Sequence, residues 1–308
     1  MLSRPSPHGA NPTKSSAAAE TSADKPPEPA LPGHCRRARA LIGWLPPDGA
    51  HQLLVSGLSD QTIGPEVVAR ARSARDFASK RPPIKQTNVV GGPPNGIGEH
   101  LALLRQNAQN LFDEGFRVCT VAVSQLYAIQ PTTFIDYYAA AVATLDPDDS
   151  RGIAAVTLPL AVEVQLAVGQ DPAQKTITLS SPNLNLQAIG FLPPQMGPNG
   201  CAVGFQTTVL NSLLQVAYFD GCYYCRDGHT RALQLLKRGI TRVPALVKEF
   251  GSYSEVAPRQ NLLPEAVAHG ANPPTLQDFL DDRVSAEVLL PMTRKAVVLS
   301  ASEIEIPV

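Results

Sequence analysis

Residues 213–247 form the sequence LLQVAYFDGCYYCRDGHTRALQLLKRGITRVPALV. The dipeptide Asp220-Gly221 separates two runs that are rich in aromatic and β-branched residues, which is a strong short-range signal for a β-hairpin. A helical pattern follows over residues 229–238, and a glycine at 239 is typical of the position that ends a helix. Residues 242–247 then have the composition of a strand. The stretch therefore predicts a hairpin, a turn, a helix and a strand in that order.

The pentapeptide Asp227-Gly228-His229-Thr230-Arg231 lies where the second strand of the predicted hairpin meets the helix. The first amide groups of a helix have no acceptor within the helix, and the helix dipole adds partial positive charge at the same place. Anions, above all phosphate groups, bind at such helix ends. Gly228 permits close approach of the backbone. Thr230 can donate a hydroxyl and Arg231 a bidentate guanidinium. We therefore expect a phosphate-binding turn.

Two residues of this turn are candidates for catalysis. Asp227 could cap the helix or hold a Mg²⁺ ion that accompanies a nucleotide. His229 could bond a phosphate or act as an acid or base. Plain capping by Asp227, with Arg231 paired to a carboxylate, is the alternative that the pattern alone leaves open.

The run from Gly228 to Arg231, followed by Gly239-Ile240 and by Val243-Pro244-Ala245-Leu246-Val247, resembles the N-terminal domain of ParB proteins in the ParB/sulfiredoxin-like superfamily. In that pattern a G-x-x-R turn opens a helix, which ends in a glycine and leads into a V-P strand. The resemblance is close over residues 213–250 and broader over 116–250. It implies an α+β fold, a ParB/sulfiredoxin-like mixed sheet with flanking helices.

The resemblance also implies a function. Gly228, His229, Thr230 and Arg231 would contact the phosphates of a nucleoside triphosphate, CTP or ATP, bound with Mg²⁺. A nucleotide-binding module is the first reading. A kinase of the same superfamily, with a free amino acid or similar small molecule as second substrate, is an alternative, as is hydrolysis of the nucleotide. A protein or DNA interaction module that keeps the fold without using a nucleotide is a further alternative.

Several positions depart from the family patterns. His229 stands where sulfiredoxins carry their catalytic cysteine, so sulfiredoxin activity is not expected. Leu233 stands where ParB carries a second arginine. Gln130 stands near the acidic base of the kinases, which a glutamine cannot replace, so Asp136 or another acid would have to serve. Residues 251–308 are too short and too rich in proline for the helix-turn-helix of ParB.

The chain divides by composition into four parts. Residues 1–33 are rich in Pro, Ser and Ala and predict a disordered tail. Residues 34–115 predict a helical N-terminal extension, with one helix that opens at Pro65. Residues 116–250 predict the ParB/sulfiredoxin-like domain, and residues 251–308 a C-terminal extension.

The predicted domain is longer than simple family members need, which suggests an insertion near residues 132–212 that shapes a substrate pocket. Within it, residues 134–143 suggest a helix and residues 156–168 are β-rich. Residues 182–200 hold several prolines and glycines and predict a long loop.

Charge and composition exclude some partners. The chain has 26 Lys and Arg against 27 Asp and Glu, so it lacks the broad basic field of a nucleic-acid binder, and nucleic acid is not expected to bind without a partner protein. The triplet Arg36, Arg37 and Arg39 is interpreted as a solvated face. No apolar run approaches the roughly 20 residues that span a bilayer, so no membrane partner is expected.

The five cysteines indicate the compartment. Their odd number and scattered spacing do not match a secreted disulfide framework, and the N-terminus has no apolar signal-like core. We therefore expect a reducing, cytoplasmic setting. Cys222 and Cys225 would point to opposite faces of one strand, so neither a disulfide nor a zinc site is expected from them.

Overall fold

The computed structural model describes residues 35–56, 61–161, 164–259, 261–302 and 304. The predicted disordered tail, residues 1–33, lies outside these residues. None of the helices in the described ranges has the length and apolar character needed to cross a membrane.

The described residues form a mixed α+β structure, as predicted. The α-helices are α1 (Pro47–Val55), α2 (Pro65–Lys80), α3 (Gly98–Asn107), α4 (Gln109–Asp113), α5 (Ala139–Ala143), α6 (Ser150–Thr157), α7 (His229–Lys237), α8 (Tyr253–Val256) and α9 (Glu265–Ala268). The strands are β1 (Cys35–Ala40), β2 (Arg117–Ala122), β3 (Tyr127–Ala128), β4 (Thr132–Phe134), β5 (Ala167–Asp171), β6 (Thr176–Ser181), β7 (Leu186–Gly197), β8 (Gly200–Val209), β9 (Gln215–Phe219), β10 (Cys222–Asp227), β11 (Arg242–Glu249), β12 (Ala286–Pro291) and β13 (Lys295–Ser300). Short 3₁₀ helices lie at Val123–Gln125 and Leu276–Leu280.

A five-stranded sheet in the order β2-β11-β9-β10-β3 carries the turn. β9 and β10 pair antiparallel across Asp220 and Gly221, whose φ angles of 45° and 78° give the left-handed conformation that a tight hairpin needs. β11 runs parallel to β9 and antiparallel to β2, so the sheet is mixed. The predicted order of hairpin, turn, helix and strand is confirmed.

Helix α7 contributes Ala232, Leu233, Leu235 and Leu236 to the core cluster that also holds buried residues of this sheet. A fully buried Leu or Val contributes about 1.5–3 kcal/mol to such a core. Leu233 is fully buried in this cluster. The position of the second ParB arginine therefore faces the core, where an unpaired charge would be costly.

The N-terminal extension contains helices α1 to α4, as predicted, but it begins with a strand that was not predicted. Helix α2 does open at Pro65. However, Cys35–Ala40 is a strand, β1, which pairs antiparallel with β12 and with β4. Ala38 and Ala40 are buried, while Arg37 and Arg39, which alternate with them, pair with carboxylates, so the residues follow the two-residue period of a strand. Six residues are too short for that period to stand out in the sequence.

The arginine triplet in and beside β1 is more structured than a solvated face. Arg37 pairs with Glu287 at 2.5 Å, and Arg39 pairs with Asp282 at 2.6 Å. Both carboxylates come from the C-terminal extension, which the sequence pattern alone could not place next to β1. Arg36 has a different environment, described below with the cavity.

The predicted insertion also differs in its elements. The predicted helix over 134–143 shrinks to α5, since Phe134 belongs to β4 and Tyr138, just before α5, has a left-handed φ of 61°. The predicted β-rich stretch, residues 156–168, begins inside a helix, because residues 156 and 157 are the last two of α6. The predicted loop over 182–200 contains β7, which forms a two-stranded hairpin with β8. Its prolines lie where the register shifts between Leu192 and Gln195, and such irregularities tolerate proline within a strand.

Candidate functional site

The turn between β10 and α7 is built around Gly228. Its φ of 88° and ψ of 18° lie in the left-handed region, which side chains with a Cβ disfavour. A Cβ on Gly228 would also come within 2.9 Å of Leu214 Cδ1 and 3.0 Å of Leu214 Cα. A glycine is therefore required for two reasons: the left-handed conformation of the turn, and the close approach of Leu214, the residue before β9.

Three amides of the first turn of α7 have no hydrogen-bond partner among the described residues. The amide of Gly228 is bonded to Asp227 Oδ1 at 2.8 Å, and the amide of Ala232 to the carbonyl of Gly228 at 3.0 Å. Between them, the amides of His229, Thr230 and Arg231 donate to no acceptor within the described ranges. Asp227 therefore bonds the amide of the residue before the helix, while the next three amides keep no partner, and unpaired amides at a helix start favour an anion.

His229 is a neutral imidazole. Its side chain is 1% exposed, and burial, with a smaller contribution from the positive charge of Arg259, lowers its pKa to about 3. Its Nε2 accepts a long hydrogen bond of 3.4 Å from the backbone amide of Gln130, so the ring proton lies on Nδ1. In the described part of the chain, Nδ1 has no partner. His229 is thus better suited to donate a hydrogen bond than to act as an acid or base near neutral pH.

Arg231 is held by protein groups rather than left open as a fork. One terminal nitrogen, Nη1, donates to the carbonyl of Ser212 and, at 3.2 Å, to its hydroxyl. The other, Nη2, donates to the hydroxyl of Tyr138 at 2.7 Å, and the guanidinium lies 4.6 Å from the centre of that ring. Nε is buried and finds no acceptor among the described residues. Both terminal nitrogens of Arg231, which were expected to bind a phosphate, thus donate to protein groups, and Nε is the donor left without an acceptor among the described residues.

The other two residues of the turn have lighter contacts. Thr230 Oγ1 lies 3.1 Å from Thr133 Oγ1, so its hydroxyl keeps capacity for a second bond. Asp227 Oδ2 accepts only a long contact of 3.5 Å from the hydroxyl of Ser212. One carboxylate oxygen of Asp227 is thus bound to the turn and the other is nearly free.

A cavity of about 730 Å³ opens at the turn and is lined by all five residues from Asp227 to Arg231. The charged residues among its described lining are three arginines, Arg36, Arg231 and Arg259, and one acid, Asp227. Arg36 lies 4.1 Å above the ring of Tyr137, another lining residue. The cavity is therefore locally positive in a chain whose net charge is −1.

The metal-binding capacity of this site is limited. No group of three or more His, Cys, Asp or Glu side chains in the described ranges is arranged to hold a metal ion. Among the described residues that line the cavity, Asp227 is the single acid. One carboxylate fits a Mg²⁺ ion that arrives with a polyphosphate, because such ions take one or two protein carboxylates and complete their shell with phosphate oxygens and water.

Four residues of the site were not predicted from the sequence: Tyr138, Asn211, Ser212 and Arg259. Each reaches the cavity through the tertiary fold. Only the adjacent aromatic pair that contains Tyr138, in the predicted insertion, gave a signal that could have been used. Asp136, the substitute base considered for a kinase, does not line the cavity and lies 3.9 Å from Arg36.

Two cysteines lie near the turn, in β10. Cys222 and Cys225 are both free thiols. Cys225 is fully buried, and burial raises the pKa of its thiol. A buried thiol with a raised pKa is unreactive.

No protein-family model, curated protein or solved structure matches this chain. The resemblance of residues 213–250 to the ParB/sulfiredoxin-like pattern therefore stays a prediction. What the chain binds has to be inferred from the geometry and charge of the turn and its cavity.

Proposed function

We propose that this chain is a ParB/sulfiredoxin-like protein that binds the phosphate groups of a nucleoside triphosphate at the turn from Gly228 to Arg231. One observation carries the proposal: among the described residues the amides of His229, Thr230 and Arg231 have no acceptor, and these three residues line a cavity of about 730 Å³. Cavities of a few hundred to a thousand Å³ are usual for ligands of this size. Amides at a helix start favour an anion through their direction and through the helix dipole.

The charges around the cavity support an anionic ligand. Arg36 and Arg259 add to the anchored charge of Arg231, and a single carboxylate opposes them. The positive charge of Arg259 also helps to depress the pKa of His229, so its field reaches the turn. Because the whole chain is almost neutral, this positive region favours a small anion over an extended polyanion such as DNA.

Mg²⁺ would enter with the nucleotide and neutralise part of its phosphate charge. Asp227 is the residue that would hold it, through the carboxylate oxygen that the turn leaves nearly free. His229 would remain neutral and donate from Nδ1, and the hydroxyl of Thr230 would add a further donor.

A second candidate is phosphoryl transfer to the hydroxyl of a small molecule such as a free amino acid. Asp227 favours it, because it is the one acid of the described cavity lining and its Oδ2 accepts only a long contact there. Gln130, near the position of the family's base, lines the cavity but cannot accept that proton as a carboxylate does. The proposed base is therefore on the turn itself.

The test is binding of each nucleoside triphosphate with Mg²⁺, measured by thermal shift and calorimetry. Arg259→Gln removes an exposed charge of the cavity and should weaken binding about three- to fivefold, the effect of one exposed charge. Arg72→Gln is the matched control, since Arg72 is an exposed helical arginine outside the cavity lining. It should bind as the wild type does.

Arg231→Ala should lose binding more severely, and its unfolding without ligand shows whether the fold survives the loss of the bonds to Ser212 and Tyr138. No response to any nucleotide would contradict the proposal and leave the interaction module. Transfer of labelled phosphate from ATP to free serine, abolished in Asp227→Asn while binding persists, would establish the second candidate.

A further inference from the structure

Unsatisfied polar atoms concentrate at the cavity. Within the described ranges, the buried side-chain atoms without a hydrogen-bond partner are Arg81 Nε, Asn211 Oδ1, His229 Nδ1, Arg231 Nε and Asn272 Oδ1. Three of these belong to residues that line the cavity: Asn211, His229 and Arg231. A buried polar atom without a partner costs about 1–3 kcal/mol. Their clustering in one place indicates that a ligand completes them.

The three atoms differ in their hydrogen-bonding role: two are donors and one is an acceptor. Nε of Arg231 is a donor, and so is the protonated Nδ1 of His229. Both side chains are more than nine-tenths buried. Asn211 Oδ1, in contrast, is an acceptor. Its orientation is fixed, because Nδ2 of the same amide donates to the carbonyl of Pro159 at 3.0 Å. A phosphate oxygen can satisfy the donors, but it brings no hydrogen to the acceptor.

Asn211 lies directly beside the turn. The next residue, Ser212, accepts from Arg231 through its carbonyl and hydroxyl, and its hydroxyl lies 3.5 Å from Asp227 Oδ2. Consecutive Cα atoms are about 3.8 Å apart, so Asn211 lies next to Ser212, the residue that contacts the proposed phosphate-binding turn. A group bonded to Asn211 would be close to the phosphates in the same ligand.

We propose that the ligand carries a neutral sugar hydroxyl next to its phosphates and that this hydroxyl donates to Asn211 Oδ1. This inference rests on the proposed function, and it deepens it by naming the group beside the phosphates. An ammonium group could also donate, but the three arginines of the cavity would repel it. A hydroxyl-bearing organic phosphate, such as a ribonucleotide, satisfies both the donors of the turn and the acceptor.

The test compares Mg²⁺-tripolyphosphate with the nucleoside triphosphate that binds, by calorimetry on the full chain. Asn211→Ala should weaken nucleotide binding about five- to tenfold, the range for one hydrogen bond. It should leave the dissociation constant of tripolyphosphate unchanged, since that anion has no hydroxyl to lose. Asn107→Ala is the matched control: Asn107 donates to the carbonyl of Leu160 at 3.1 Å, next to Pro159, and lies outside the cavity lining.

Deoxy analogues locate the hydroxyl. In the wild type, the 2′-deoxy or the 3′-deoxy nucleotide should bind as weakly as the full nucleotide binds to Asn211→Ala. The two changes together should cost no more than either alone, as expected when both remove the same contact. Equal weakening of nucleotide and tripolyphosphate in Asn211→Ala, or no weakening of either, would overturn the sugar hydroxyl while leaving the phosphate site intact. Failure of wild-type protein to bind either ligand would instead contradict the proposed function and the hydroxyl together.

Discussion

The imidazole of His229 is the most perturbed titratable group of the turn. It is 1% exposed, and its pKa falls to about 3 from an ordinary value of 6.5 because burial disfavours the charged ring and Arg259 adds like charge. Between these two pKa values the unfolded chain binds a proton that the folded chain does not. Folding therefore becomes less favourable as the pH falls below about 6.5.

We predict that the unfolding free energy falls by about 2 kcal/mol more in the wild type than in His229→Gln when the pH drops from about 6.5 to 4.5. Glutamine cannot titrate, and its carbonyl can replace Nε2 as the acceptor for the amide of Gln130. Urea unfolding at a series of pH values measures the difference. Parallel pH curves for the two proteins would show that His229 keeps an ordinary pKa.

At the scale of single residues, the sequence predicted the turn but not its partners. Asp227 to Arg231 lie at a strand-to-helix junction as expected, because capping and helix signals are local. The fork of Arg231 was expected to hold a phosphate, and it holds Ser212 and Tyr138 instead. These partners are 19 and 93 residues away in the chain, and a local sequence pattern cannot predict contacts at such separations.

At the scale of elements, α7 is flanked by two glycines in the left-handed region. Gly228 has a φ of 88° and Gly239 a φ of 80°. Their surroundings differ: an added Cβ at Gly228 would press on Leu214, whereas nothing lies within 4 Å of one at Gly239. The pair separates the cost of the backbone conformation from the cost of crowding.

We predict that Gly239→Ala lowers the unfolding free energy by about 1 kcal/mol, the conformational cost alone. Gly228→Ala should lower it by about 2–4 kcal/mol, because the turn must also move away from Leu214. Chemical denaturation of both variants measures the two losses. Equal losses would mean that the close approach of Leu214 to the turn does not constrain it.

The elements that the sequence predicted well share a property. The hairpin of β9 and β10, helix α7 and strand β11 each have local start or stop signals, such as Asp220-Gly221 and Gly239. β1 and β7 lacked them: β1 is short, and β7 contains the prolines and glycines that normally mark a loop. β1 forms because it pairs with a strand that is distant in the sequence. β7 forms because it pairs with the neighbouring β8, with two shifts of register.

At the scale of the whole molecule, burial is uneven among the sheets of the described ranges. The five-stranded sheet that carries the turn contributes much of the largest core cluster. In the β7–β8 hairpin, Phe191 is 91% exposed and Met196 is 80% exposed. Segments with few buried apolar contacts open at lower free energy than the core of the same protein.

We predict that amides of β7 and β8 exchange with deuterium roughly a hundredfold faster than those of β9 and β11, after correction for intrinsic rates. Hydrogen exchange measured by mass spectrometry resolves the two regions. β2, which pairs with β11 at the edge of the five-stranded sheet, serves as the comparison for an ordinary edge strand. Protection of the β7–β8 hairpin equal to that of β9 would show that it is covered in solution.

The position of the bound phosphate can be tested by NMR at individual backbone amides. In ¹⁵N-labelled protein titrated with Mg²⁺-tripolyphosphate, the amide resonances of His229, Thr230 and Arg231 should move together along one saturating curve. The amide of Gly228, already bonded to Asp227, should move less. If the anion saturates a different set of amides while these three stay where they are, it does not bind at the start of α7 and the proposed site is wrong.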